Sequence, residues 1–322
     1  MLRGKTLITY ILGACLLTAC AGRSRYVQFG GYAQGGVWSV KANVKGAKAR
    51  PAEIQKGIEA ILEEIDTTLS GYNKRSQLSR YNAGEPVQLS PMFLEIRQAA
   101  ENYKAETGGA VDCSAGPLFD IWGFGFKTDS LPSDKLVRQT LANCGKKLNF
   151  NAIAQGYSCD KVAAYLHSLG IKDMLIDIGE IFCEGVNPSG KPWRVGVDRP
   201  KDGNNTPGAD MDGIWESDGS ARGVVTSGNY RKFYIKDGIK YSHTIDPRIG
   251  YPVQHNLLSA TIIAGSAMEA DAYATYCMVI GPEAAKEFIL SRPDLEGYLI
   301  CSDPTGDNGM SEWNSPGFKL AE

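Results

Sequence analysis

Histidine is scarce in this chain, with three among 322 residues. Any proton transfer that needs a group titrating near neutral pH therefore has few imidazoles to choose from: His167, His243 and His255. Excess charge of one sign is missing as well. Lys and Arg total 34 against 36 Asp and Glu, a formal net charge of −2, and the basic residues form no stripe or run. That excludes the electrostatic footprint of a nucleic-acid-binding protein, so no nucleic acid is expected as a partner. None of the eight cysteines sits in a CxxC or Cys/His metal spacing, which argues against zinc ribbons and thioredoxin-like redox motifs. There is no internal repeat, low-complexity tract or long linker. What is present is ordinary globular composition, 43% hydrophobic and 22% charged, in a chain long enough for one large domain or two of usual size.

The N-terminus departs from that background. Arg3 and Lys5 form a short basic region, an apolar stretch runs from Leu7 to Leu17, and Leu17-Thr18-Ala19-Cys20 follows. The stretch is too short and too soon interrupted for a comfortable transmembrane helix. A basic start, a short apolar core and small residues before a cut describe a secretory signal. Ending in Cys, the pattern reads as a lipoprotein signal over 1–19 with lipidation at Cys20, rather than a plain signal peptide or a buried N-terminal helix. Residues 20–29 then read as a polar tether and 30–322 as the folded domain. Such a protein is expected at the bacterial cell envelope, lipid-anchored and facing the periplasm or the outside of the cytoplasmic membrane. With Cys15 removed and Cys20 lipidated, six cysteines remain: Cys113, Cys144, Cys159, Cys183, Cys277 and Cys301. Several lie in apolar runs, where a small buried hydrophobe is the expected role.

Residues 37–45 alternate and predict a strand. Ile54, Ile58, Ile61, Leu62, Ile65 and Leu69 have the spacing of an amphipathic helix over 51–69. Ser90-Pro91 opens a second helix that Gly108-Gly109 closes, and a third covers 153–169 with Gly170 after it. Strands are expected at 173–178, 193–198, 223–226, 231–236, 239–245 and 257–264, with Asp237-Gly238 as a hairpin turn. Ser266-x-x-Glu269 opens a helix to about 280, Pro282 starts another, and 297–302 make a last strand. The Gly-, Asp- and Asn-rich run 201–222 reads as a surface loop. Early helices and later paired strands predict an α+β fold with a mixed or antiparallel sheet and packed helices.

Four segments could carry chemistry. Leu69-Ser-Gly-Tyr-Asn-Lys-Arg-Ser-Gln-Leu-Ser-Arg-Tyr-Asn82 is, by itself, a polar loop. Gly109-Ala-Val-Asp-Cys-Ser-Ala-Gly-Pro-Leu118, followed by Ile121-Trp-Gly-Phe-Gly125, offers glycines that admit a ligand to the backbone and an acceptor in Asp112. Leu148-Asn-Phe-Asn-Ala-Ile-Ala-Gln-Gly-Tyr157 runs into a helix start, whose free N–H groups suit a phosphate. Ser242-His-Thr-Ile-Asp-Pro-Arg-Ile-Gly-Tyr-Pro-Val253 precedes Glu269-Ala-Asp-Ala-Tyr-Ala-Thr275, in which Asp271 and Thr275 share a helix face. A carboxylate with a hydroxyl is a partial oxygen shell for Mg²⁺, though an isolated pair of this kind is more often a solvated face. Of the histidines, His167 on a helix and His255 beyond a turn suit the surface, leaving His243 as the candidate base.

In order and wording these segments resemble the FAD:protein FMN transferases, the ApbE family, from about residue 30 to the C-terminus. The most specific matches are the Ser242–Val253 segment, the Ala-Asp-Ala-x-Ala-Thr helix and Thr226-Ser-Gly-Asn-Tyr230. The resemblance implies the family's own single-domain α+β architecture, related to the thymidylate-synthase-associated type. It implies an enzyme that binds FAD and Mg²⁺, cleaves the pyrophosphate and passes FMN to a Thr or Ser of an exported flavin-accepting redox subunit, releasing AMP. By the same resemblance Asp271, Thr275 and the carbonyl of Ala152 match metal ligands. Gln34, Tyr72, Ala110, Val111, Asp112, Asn149, Gln155 and Ile245 fall where the family contacts FAD, and His243 matches the proposed base. This chain departs from the family in having Asn149 for Asp, Gln155 for Lys or Glu, and Ile178-Gly179-Glu180 where two adjacent glycines are usual. Weaker or altered FAD binding is the expected consequence. FAD hydrolysis with water as acceptor, and FAD binding without catalysis, stay open as alternatives.

Overall fold

The structure, a computed structural model, describes residues 25–124, 131–201, 208–229, 233–236 and 239–321. Cys20 and the expected signal, Gly125, Tyr230 and the Asp237-Gly238 turn lie outside the described residues. Two strands, β1 (Tyr26–Ala33) and β2 (Gly36–Asn43), form an antiparallel hairpin that opens the chain. Six helices follow: α1 (Pro51–Leu69), α2 (Gln77–Asn82), α3 (Pro91–Glu106), α4 (Gly116–Ile121), α5 (Asp134–Ala142) and α6 (Ala154–Ser168). Next come β3 (Met174–Asp177), β4 (Ile181–Glu184), the paired β5 (Arg194–Asp198) and β6 (Met211–Glu216), and then β7 (Arg222–Gly228). The short pairs β8 (Phe233–Lys236) with β9 (Ile239–Ser242) and β10 (Ile245–Asp246) with β11 (Tyr251–Pro252) lead to β12 (Leu257–Ala264). The chain ends with α7 (Ala267–Ile280), α8 (Pro282–Ser291), β13 (Glu296–Ser302), a 3-10 turn and β14 (Met310–Asn314).

Eight of these strands make one sheet in the order β1-β2-β3-β4-β7-β12-β13-β14, every neighbour antiparallel. Period-2 alternation assigns its faces. Val40, Ala42, Met174, Ile176, Val225 and Ile262 point to α1, α6 and α7, while Cys183, Val224, Ile263 and Tyr298 point to a second core formed with β5 and β6. On α1, Ile54, Ile58, Leu62, Ile65 and Leu69 are all buried, each contributing about 1.5–3 kcal/mol relative to exposure. This is the α+β fold expected, with helices segregated largely onto one face of the sheet.

Several boundaries differ from the sequence expectation. Tyr26–Phe29, counted with the tether, are the first half of β1. As the sheet's edge strand it buries only Phe29, and its glycines erase the alternation that marks an interior strand. Within the 201–222 run, Met211–Glu216 is a strand with a single fully buried side chain, Trp215, too weak a signal among Gly and Asp. The strand at 296–302 is not the last, since β14 pairs beyond it. The helices α2, α4 and α5 are too short to show a period. All six cysteines outside the N-terminal region are unpaired, and all but Cys144 are fully buried.

Candidate active site

Two helices cross closely at the centre of the molecule. A Cβ on Gly156 would lie 2.2 Å from the carbonyl oxygen of Ala267, and one on Gly223 would lie 2.3 Å from that of Ser266. Only glycine at these positions lets α6 and β7 both close on the start of α7. Asp160 of α6 accepts hydrogen bonds from the N–H groups of Ala267 and Met268 at 2.8 and 2.9 Å, and Ser266 Oγ accepts that of Glu269 at 3.2 Å. The free donors of the helix start are thus met by a carboxylate from the neighbouring helix.

One turn further along α7, Asp271 is 4% exposed. Its Oδ2 accepts the Gly156 N–H at 3.1 Å. Burial pushes its carboxyl up to about 7; the Gly156 N–H offsets part of that rise, and the charge of Asp160 adds to it. Asp160 itself is raised to about 6 by burial, against the lowering effect of the helix N–H groups. Thr275 lies on the same face of α7 and is half-buried. Ala152 lies two residues before the α6 start that carries Gly156, and packs at the edge of the main core.

The four sequence segments converge around this junction. Asn82 donates from Nδ2 to the Leu148 carbonyl and accepts the Leu148 N–H, both at 2.8 Å, joining the first segment to the third. Asn149 N–H donates to the Cys113 carbonyl at 2.7 Å, joining the third to the second. Between them opens a cleft of about 440 Å³ lined by Gly71, Lys74, Asn82, Gly116, Asp120 and Lys147. Tyr72, 64% exposed, stands beside it. The fourth segment packs against the second: the Trp122 indole donates to the Gly250 carbonyl at 2.8 Å, and the His243 and Phe124 rings are 6.3 Å apart edge to face.

Each remaining candidate has a definite setting. Gln34, at a left-handed turn (φ 52°) between β1 and β2, donates from Nε2 to Ser158 Oγ of α6 at 2.6 Å. The side chains of Ala110, Val111 and Ile245 are buried, so these residues can meet a ligand only through their backbones. The Val111 and Ala110 N–H groups already donate to Thr107, which leaves carbonyl oxygen as what they offer. Asp112 is not an open acceptor: it pairs with Lys104 at 3.0 Å and accepts from Ser114 N–H and Oγ. Asn149 holds its own turn, its Oδ1 accepting the Asn151 N–H at 2.9 Å. Gln155 Nε2 packs over Gly179, where a Cβ would lie 2.3 Å away.

His167 is at the surface as expected, 2.5 Å from Glu184. His255 is not: it is half-buried between β12 and the end of α7, with Nε2 at 2.9 Å from the Met278 carbonyl. Asp160 and Lys104 were not anticipated. A carboxylate inside a helix and a lysine near its end both read as solvated, and no local pattern says otherwise.

Among the described residues no three His, Cys, Asp or Glu side chains cluster as a metal site. A cation at Asp271 would thus have one carboxylate, a hydroxyl and backbone carbonyls, completed by water and substrate phosphates. That donor set suits Mg²⁺ rather than zinc, and a buried carboxyl raised by desolvation is one that a cation would relieve.

Helix starts and glycine turns gathered around a buried carboxylate define an enzyme-like site in an antiparallel α+β frame. A sequence model of the ApbE family matches residues 34–299. The chain belongs to the ApbE family. It is 34% identical to the FAD:protein FMN transferase of Escherichia coli (strain K12) over 317 residues, covering 90% of this chain and 87% of that protein. Its structure resembles the flavin transferase ApbE from Vibrio cholerae with a TM-score of 0.77 at 30% identity, over 91% of this chain and 98% of that one. Against the apo form of the Pseudomonas stutzeri flavinyl transferase ApbE the TM-score is 0.78 at 30% identity, over 92% and 96%.

Proposed function

We propose that this chain is a Mg²⁺-dependent FAD:protein FMN transferase, exported and held at the membrane by lipid on Cys20. It takes FMN from FAD, attaches it through a phosphoester to a Thr or Ser of an exported redox protein, and releases AMP. The observation that carries this reading is Asp271, buried on α7 and tied by the Gly156 N–H to the helix start where the Ala152–Gln155 segment ends. Asp271, Thr275 and the Ala152 carbonyl would hold Mg²⁺. The ion, when bound, supplies positive charge to the pyrophosphate oxygens as they gain negative charge.

This chain's own groups do the rest. Gln34, Tyr72, Asn149 and Gln155, with the backbones of Ala110, Val111 and Ile245, would contact FAD and orient the dinucleotide. Asp112, held by Lys104 and Ser114, keeps its loop in one shape. His243 takes the proton of the acceptor hydroxyl, whose oxygen forms a new bond to the FMN phosphorus. The bond from that phosphorus to the bridging oxygen breaks, and AMP leaves with that oxygen.

The test is to incubate the mature chain with FAD, Mg²⁺ and a candidate acceptor domain, following AMP and acceptor mass. AMP release with an acceptor gaining the mass of an FMN group supports transfer. AMP with no protein modified by any acceptor tried points to hydrolysis of FAD by water. FAD bound but uncleaved sinks the catalytic reading.

A further inference from the structure

The end of the domain opposite the flavin site is basic and adjoins the point where the chain enters the fold. Two elements run between these ends. The helix α6 carries Gln155 and Gly156 in its first turn, and the Leu169 carbonyl just past its end accepts the Lys48 N–H at 3.0 Å while Lys48 Nζ donates to the Ser168 carbonyl at 3.2 Å. Fifteen helical residues cover about 22 Å. The β1–β2 hairpin touches α6 near the site through Gln34 and Ser158, and its eight-residue strands reach about 26 Å to Arg25 and Lys45.

At that far end Arg25, Lys48 and Arg50 line an open cleft, and Lys45 is exposed beside it. Glu53 neutralises Arg50 at 2.6 Å, and Asp173, which accepts from Asn43 Nδ2 and the Val186 N–H, is a second carboxylate at this end, outnumbered by the cations. Arg25, Lys45 and Lys48 have no carboxylate partner among the described residues. Arg25 is only five positions along the chain from Cys20, about 17 Å when extended. A lipid on Cys20 would hold this basic end within reach of a bilayer surface.

We propose that the Arg25, Lys45 and Lys48 surface rests on anionic phospholipid headgroups, turning the flavin site away from the membrane toward incoming acceptor proteins. The orientation rests on the lipid anchor proposed above, and the two are separable by experiment. The mature chain starting at residue 20 with Cys20→Ser, hence without lipid, is sedimented with phosphatidylcholine vesicles with and without phosphatidylglycerol. It should bind only the anionic vesicles, less as salt rises, with Lys45→Gln/Lys48→Gln weakening partition by about tenfold and Lys286→Gln leaving it unchanged. Flavin transfer in solution should be unaltered in all of these variants. No preference for anionic vesicles, or equal loss in the Lys286→Gln control, overturns the surface. The mass of Cys20 in the full chain made in a bacterium reports the anchor separately. An unmodified Cys20 overturns both anchor and orientation, whereas a lipidated Cys20 beside a negative vesicle result overturns the surface alone.

Discussion

On one side of α7, Glu269 and Tyr273 meet Arg292, whose guanidinium also reaches Glu106 at 2.7 Å and Asp294 at 3.1 Å and lies over the Tyr273 ring at 5.0 Å. On the other side, two residues along from each, lie Asp271 and Thr275; Asp271 faces the start of α6, and the contact made there by its carboxylate is an N–H. The helix, its length and its alanine-rich packing are shared. The first side gathers acids around a cation and ties α3, α7 and the approach to β13 together. The second keeps a carboxyl whose ionisation burial opposes. Charges placed for stability are matched inside the protein, whereas a charge placed for function waits for a partner from outside. Reading one helix by both faces therefore separates scaffold from site better than either cleft volume or composition.

The largest break in that contrast is Asp271→Ala, which should lower FMN transfer by about 1000-fold and abolish its response to Mg²⁺. Asp271→Asn should be as inactive yet more stable without metal. The folded carboxyl binds its proton more tightly than the unfolded one, so its cost is absent below pH 4 and grows as pH rises toward about 7. At pH 8 the Asn variant should melt about 3 °C or more above the metal-free parent. An Asn variant that melts lower would mean that Asp271 is part of the scaffold after all. His243→Ala comes next: transfer should fall by about 100-fold while FAD affinity, read by fluorescence titration, stays close to that of the parent. Normal turnover would remove His243 from the chemistry.

The paired face breaks differently. Arg292→Ala strands Glu106 and Glu269 without their cation and should cost about 2 kcal/mol, lowering the melting temperature by about 4–8 °C. FAD turnover per folded molecule should change far less than in Asp271→Ala. A loss of activity as large as that of Asp271→Ala, in protein still folded, would erase the distinction between the two faces.

How much of this was legible beforehand follows the range of each signal. The helices α1 and α7 announce themselves through apolar spacing and the Ser266 cap, both local. The Ser242–Val253 segment and the Asp271/Thr275 pair stand out through residue wording. β1 and β6 do not, because each buries one large side chain and owes its pairing to a partner strand distant from its own sequence pattern. Asp160 was invisible for a similar reason: its role is to cap a helix that begins more than a hundred residues later. Asp112 was visible as an acceptor but not as the partner of Lys104, eight positions upstream on another element. Sequence thus exposes what a residue can do and hides what has already been given to it by tertiary contact.

His255 supplies the smallest and most selective test, since a surface histidine and a structural one titrate differently. Its Nε2 lies 2.9 Å from the Met278 carbonyl and so bears the hydrogen, while Nδ1 accepts the Leu257 N–H at 3.3 Å. Neutral imidazole satisfies both contacts; protonation would set a second N–H against that of Leu257. Burial lowers the pKa from its ordinary value near 6.5, only partly offset by the Met278 contact. Between the lowered folded value and 6.5 the unfolded chain therefore binds the extra proton, and stability rises with pH through that window. The contribution is fully present above pH 6.5 and is lost as pH falls below it. His255→Gln keeps a donor at the site without the titration. Its melting temperature should thus fall less between pH 7 and pH 5 than that of the parent, by about 2 °C. Asp160 and Asp271 have raised values and tilt stability the opposite way in both proteins, so they cancel from the difference. Parallel melting curves would place His255 in water and return it to the surface role that its sequence position suggests.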